Sequence, residues 1–512
     1  MKQFTLNQQS ALNIVGSIVV VAINVAINFL LSPYIVNHLG VEANGYITLA
    51  NNFVSYIALV TMALNSMSGR FMLIDHRRGN RQSVNEYYSS VLLGDWFLAI
   101  VFLVPMILFV IFIDKVINVP DNYLADTRIL FAIVFVNYIV HLCLPQWQTA
   151  TYCTNNLYLR SIRNAISAIV RAVAIYLLFL LFEPHSYYVA IAAIFMSIVS
   201  FCLDYAFYKR LMPELKWSVS DFRIKKVWEL VSSGIWNTIS QCGNLLLEGL
   251  DILIANIFIN PVSSGVLALS KVVPNMITQI SGTVATTYGP RLTYLYADGK
   301  MAEMEKEVKN DIMVVSVLSN IPIGIFFVFG VDFFALWVPT QNAHEIALLA
   351  NLTLAGLMFA GISQCFVNIF GVVNKLKLNS LVVIGTGLLN VIIVYLLLKN
   401  TDLGVYAIAG VSSTITILRL FCFTAPYSAH CIHAKGWHFC IYLLKGSCFV
   451  VVPALLGVVI KRIIINTSWL SLVSSMFITA VISLPIILFV LLNRDQRGSI
   501  WSLLKTKKYQ DN

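Results

Sequence analysis

Fourteen apolar runs follow one another along the chain, each bounded by charges or turn residues. They cover roughly residues 11–36, 44–66, 88–113, 128–150, 164–182, 188–207, 231–257, 262–288, 311–333, 347–372, 379–399, 404–426, 441–461 and 470–492. A helix rising 1.5 Å per residue needs about 20 such residues to cross the hydrocarbon of a bilayer. The pattern predicts an all-α polytopic membrane protein of about fourteen transmembrane helices. The first run, from Ala11, is too long for a signal peptide and has no cleavage site after it, so it reads as a retained span.

Composition agrees with the pattern and removes whole classes of function. Hydrophobic residues make up 58% of the 512 and charged residues 11%, with a mean hydropathy of +0.80. A soluble domain carries about a quarter charged residues, so a soluble enzyme is excluded. The net charge of +10 does not point to nucleic acid, because in a membrane chain Lys and Arg are read by side. With the N-terminus placed inside, the inner segments hold 25 of the 34 Lys and Arg and the outer ones five: Lys115, Arg128, Lys399, Lys461 and Arg462. Both termini are therefore expected in the cytoplasm. None of the nine cysteines falls in an outer segment, so no disulfide framework is indicated. The stretch His430-Cys431-Ile432-His433, with His438 and Cys440, fits no zinc spacing. No P-loop motif and no G-x-S-x-G occurs, and no outer segment is long enough to scaffold an active site above the bilayer. Movement of a substrate is expected, not catalysis, and no cofactor beyond a coupling ion, Na+ or H+.

The longest break between apolar runs, KRLMPELKWSVSDFRIKKVWEL at 209–230, divides the first twelve spans into two sets of six. Residues 45–70, GYITLANNFVSYIALVTMALNSMSGR, match 265–291, GVLALSKVVPNMITQISGTVATTYGPR, at an offset of 220. Gly45 falls on Gly265, Leu49 on Leu269, Asn51 on Lys271, and the Gly69-Arg70 ending on Gly289-Pro290-Arg291. Six spans between the copies give them the same orientation, hence a parallel repeat. The expected organisation is an N-terminal six-helix lobe over 1–208, a cytoplasmic linker over 209–230, a second lobe over 231–426, an extra helix pair over 427–492 and a cytoplasmic tail over 493–512. Two lobes with a cleft between them make a transporter, and charges inside the spans mark the substrate path.

Those charges are few. Arg171 in span five, Lys271 in span eight and Arg419 in span twelve are candidates for a cationic lining that accepts a phosphate or pyrophosphate. The competing reading pairs Lys271 with Glu248 or Asp251, three apart on one face of span seven, and has Arg171 bond backbone carbonyls. Glu248 and Asp251 also qualify as a coupling-ion site. Asp95, Asp204 and Lys445 lie close enough to span ends to snorkel into headgroups. Arg70 and Arg291 close spans two and eight in both repeat copies, as a cytoplasmic gate or as ordinary anchors.

The opening SPYIVNHLGVEANGYITLANNFVSYIALVTMALNSMSGRF at 32–71 resembles the start of Wzx-type oligosaccharide-lipid flippases of the MATE-like MOP exporter superfamily. The resemblance implies a MATE-like fold of two six-helix lobes plus two C-terminal helices. It implies transport of an undecaprenyl-diphosphate-linked sugar repeat unit from the inner to the outer leaflet of a bacterial plasma membrane, for capsule, O-antigen or exopolysaccharide assembly. It further implies a cationic central cavity, membrane lipids and pathway polymerases and glycosyltransferases as partners, and a lipid-tail groove at spans thirteen and fourteen. Lipid II flippases typically carry charges in their first span, and residues 11–36 have none. A cation-coupled multidrug antiporter is the alternative within the superfamily, although span one lacks the acid it would need. A membrane-embedded glycosyltransferase or polymerase would need the long outer loop that is missing.

Overall fold

The computed structural model describes residues 6–286, 288–373, 375–491 and 497. Every regular element among them is helical. Without water, each segment must satisfy its own backbone donors and acceptors, which helices do. Twelve helices are long and apolar enough to cross a membrane. Expected spans seven and eight are not among them, because neither is a single helix. The first runs as Ile224–Asn244, a π-turn over Leu245–Gly249, a bend at Leu250 and a second helix, Asp251–Phe258. The other breaks at Lys271, between Pro261–Ser270 and Val272–Thr286. Fourteen is thus an approximate count: among the described residues twelve spans qualify, and spans seven and eight are interrupted.

Two compact units emerge, one of residues 1–245 and 252–265, the other of 246–251 and 266–512. The division expected at 209–230 differs from this one at span seven, most of which packs with the first unit. Glycines allow it. A Cβ on Gly234 would lie 2.3 Å from the carbonyl oxygen of Ala63, and one on Gly265 would lie 2.1 Å from that of Val41. Only a residue without a side chain lets backbones come this close. Gly45 and Gly265, matched in the repeat, meet here: a Cβ on Gly45 would sit 3.0 Å from the Gly265 nitrogen. Beside them the Asn118 amide donates to Asn256 Oδ1 at 2.9 Å, and Asn118 Nδ2 donates to the Asn256 carbonyl at 2.7 Å.

The segment after span six is no loose tether. Met212, Leu215 and Leu230 are buried with Leu64, Tyr87, Tyr88 and Val91. Tyr87 donates its hydroxyl to Glu229 at 2.8 Å, and the Lys226 ammonium lies 3.9 Å above the Tyr87 ring. Cys153, on the short helix Thr149–Cys153 between spans four and five, joins this cluster, and burial pushes its thiol up to about 12.

The long helix Met301–Trp337 forms the centre of the second unit, with most of its apolar window buried. Spans thirteen and fourteen dock on it through small residues. A Cβ on Gly446 would meet Ser316 Oγ at 2.1 Å, and one on Gly324 would meet the Val450 carbonyl at 2.4 Å. Lys461, one of the two basic residues at an end expected to be outside, donates to the Val328 carbonyl at 3.1 Å and to Asp332 Oδ1 at 2.9 Å. Lys461 is thus held by an ion pair with Asp332 at this end.

Candidate functional site

The break in span seven brings together an ion pair and freed backbone carbonyls. Gly243, Asn244 and Gly249 are weak helix formers around it, and the π-turn disturbs the i to i−4 ladder so that carbonyls lose their partners. Asn390, wholly buried on the helix Leu376–Asn400, donates Nδ2 to the carbonyls of Leu246 and Leu247 at 3.2 and 3.0 Å. Lys271 donates Nζ to the Glu248 carbonyl at 2.9 Å and to Asp251 Oδ2 at 2.5 Å. One break in the helix ladder thus completes another, since Lys271 sits in the interruption of span eight. The Lys271 and Asp251 side chains are 12% and 2% exposed. Asp251 Oδ1 is buried without a hydrogen-bond partner.

The alternative left open by the spacing resolves unequally. Lys271 meets Asp251 through the carboxylate and Glu248 only through the backbone, while the Glu248 side chain is exposed. Arg419 ends the helix Val405–Arg419, just before a second π-turn over Leu420–Thr424. Its Nε and Nη1 are buried with no hydrogen-bond partner, and Glu248 acts on it electrostatically without an ion pair within 4 Å.

Arg171 lies in the first unit on the helix Leu157–Leu181. Its Nε is buried and unpartnered, and it forms no ion pair among the described residues. Arg70 is exposed and likewise has no ion pair among them, whereas Arg291 bridges to Glu307 at 3.0 Å. The two arginines that the repeat matched therefore differ in their partners.

Asp95 and Asp204 do not snorkel; both are buried. Gln146, in the turns before the helix Thr149–Cys153, supplies one partner of Asp95, and the helix Leu157–Leu181 supplies Arg163 to Asp204. Asp95 accepts from Asn65 Nδ2 at 3.0 Å and from Gln146 Nε2 at 2.9 Å. Asp204 accepts from Arg163 Nη1 at 2.5 Å. Sequence reasoning missed Asn390, Gln146 and Arg163. Arg163 falls one residue before the expected span five, 164–182, and so was not counted among the charges inside spans; the helix begins earlier, at Leu157.

A family model described as polysaccharide biosynthesis protein matches residues 11–295. A curated relative, described as an uncharacterized membrane protein EpsK of Bacillus subtilis (strain 168), is 27% identical over 419 residues, covering 81% of this chain and 82% of that one. Among solved structures, a lipid II flippase MurJ in an inward closed conformation aligns with a TM-score of 0.66 at 13% identity, over 93% of this chain and 98% of its own. An inward-facing multidrug resistance transporter of the MATE family, in the MOP superfamily, aligns at 0.60 and 13% identity, over 81% and 98%. At these identities the structures speak for the fold: the helix arrangement is similar to that of MurJ and the MATE transporters.

Proposed function

Because the chain belongs to the polysaccharide biosynthesis protein family, we propose that it is a flippase for a lipid-linked oligosaccharide, moving an undecaprenyl-diphosphate-linked repeat unit to the outer leaflet of a bacterial plasma membrane by alternating access. The observation that carries the choice of an anionic substrate is the pair of guanidinium groups on Arg171 and Arg419, with buried nitrogens that have no hydrogen-bond partner and no ion pair within 4 Å among the described residues, Glu248 acting on Arg419 only from farther away. Such groups are stable in low dielectric only with a partner, and a diphosphate is the partner that guanidinium geometry suits. In this reading Arg171 and Arg419 line the substrate's path. Lys271 serves mainly to neutralise Asp251, which speaks against a coupling-ion site at that carboxylate; an ion, Na+ or H+, would act through Glu248. Arg70 takes the cytoplasmic entry role, and Arg291 is engaged by Glu307. Polymerase and glycosyltransferases of the same pathway are its functional partners.

The fold alone would equally suit a cation-coupled multidrug antiporter. The uncompensated arginines favour an anion over a cationic drug. Deleting the gene tests the reading directly. The expected result is lipid-linked oligosaccharide accumulating in the cytoplasmic leaflet with loss of exported polymer; unchanged lipid pools and normal export would overturn it. The same reading requires the charge-rich ends inside. A reporter active only in the cytoplasm should respond when fused after Asp221 and stay silent after His185, and the reverse pattern would invert the direction of transport.

A further inference from the structure

A cavity that the proposed path does not use opens in the first unit, where the helices Leu157–Leu181 and Tyr187–Leu211 meet residues 144–148. Its volume is about 210 Å³, room for about seven waters at roughly 30 Å³ each. It lies some 10 Å in from the helix ends, since Arg163 is six residues from Leu157 and Asp204 seven from Leu211.

The lining is specific. Arg163 and Asp204 form an ion pair with side chains only 10% and 9% exposed. Asn164 Oδ1 accepts from Arg163 Nε and Nη2 at 3.1 and 2.7 Å, and Gln148 Oε1 accepts from Nη1 at 3.4 Å. Asp204 Oδ1 is buried, closed to the cavity and without a hydrogen-bond partner among the described residues. Ser197 adds a hydroxyl to the wall, and the Trp147 ring, held 4.9 Å from the Tyr205 ring, adds a flat apolar surface.

This combination selects its ligand by charge. Within the lining the pair cancels itself, with His141 beside it and Arg160 acting on Asp204 from outside the lining, so a phosphate would face the Asp204 carboxylate and a cation would face the Arg163 guanidinium. Neither gains what it loses in leaving water. A neutral molecule with several hydroxyls meets neither penalty: it exchanges hydrogen bonds with the Gln148 and Asn164 amides and Ser197, and lays its C–H face on Trp147. We propose that this cavity binds one uncharged sugar ring. That the polyol is a sugar rests on the flippase reading; that it is uncharged and rich in hydroxyls rests on the lining alone.

Calorimetric titration of the purified full chain in detergent tests it, with the methyl glycosides of glucose, galactose and N-acetylglucosamine as probes and pyrophosphate as the anionic control. Saturable binding of at least one glycoside is expected. Ser197→Phe fills the cavity without touching the ion pair, and should weaken that binding at least about tenfold, or about 1.4 kcal/mol, while leaving the melting temperature in place. Should Ser197→Phe fold poorly, Ser197→Leu, a smaller side chain at the same wall, provides the same reading without touching the ion pair. No glycoside binding to the unaltered protein, glycoside binding indifferent to both substitutions, or pyrophosphate competing for the same cavity would overturn the proposal. Lipid accumulation in the deletion strain is measured independently. A failed cavity leaves that accumulation intact, and a failed flippase reading leaves glycoside binding to be found.

Discussion

Replacing Lys271 by Gln is expected to destabilise the folded protein by about 3–5 kcal/mol, the usual consequence of removing one partner from a buried ion pair. The loss comes from what remains. Asp251, 2% exposed, would keep one oxygen that already has no partner and would lose the ammonium from the other. Asn390 would still hold the carbonyls of Leu246 and Leu247, but the Glu248 carbonyl would lose its donor as well. Adding Asp251→Asn to the Lys271→Gln variant should recover part of the loss, because two neutral groups are cheaper to bury than one lone charge. Glu248→Gln should recover nothing, since its carboxylate takes no part in the pair. Unfolding in detergent, followed for all four combinations, reads the coupling. Additive effects of Lys271→Gln and Asp251→Asn would show that the pair does not hold the break together.

Arg171→Gln is expected to act in the opposite way, lowering polymer export at least about tenfold while leaving the protein folded and abundant. Removing Arg171 orphans no carboxylate, because it forms no ion pair among the described residues. What disappears is the attraction for a diphosphate, which at about 4 Å and an effective dielectric of 20 is worth roughly 4 kcal/mol per charge pair. A tenfold effect needs only about 1.4 kcal/mol of that. Export retained by Arg171→Lys would indicate that charge matters more than a two-pronged hydrogen bond. Normal export from Arg171→Gln combined with Arg419→Gln would remove the cationic path altogether. The two experiments divide the charged residues cleanly, one losing stability and the other transport.

Fold class was legible because it depends on run length and on the distribution of Lys and Arg, both written directly in the chain. The candidate pairing of Lys271 with Asp251 was legible too, since charges at matching depth in adjacent spans have few other partners. The breaks were not. A π-turn at Leu245–Gly249 leaves no mark on hydropathy, so nothing signalled that Asn390, 143 residues from Leu247, would be needed to satisfy the carbonyls it frees. Asp95 and Asp204 looked like interface residues because their distance to a helix end was short. Their burial is a tertiary effect of partners distant in sequence, Asn65 and Gln146 for Asp95 and Arg163 for Asp204. The grouping of span seven with the first unit likewise depends on which backbones touch at Gly234 and Gly265. Periodicity does not carry that information.

The ion pair at the break also bears on how the chain enters the bilayer. Inserted by itself, the helix carrying Asp251, or the one leading to Lys271, would bring a naked charge into hydrocarbon at about 2.5–3.5 kcal/mol on the translocon scale. Only Ile259 and Asn260 separate the helices Asp251–Phe258 and Pro261–Ser270, so acid and base can neutralise each other as soon as both have left the ribosome. The expected unit of insertion here is the hairpin and not the single helix. Two broken, polar segments that would each be poor membrane anchors become, together, one acceptable one.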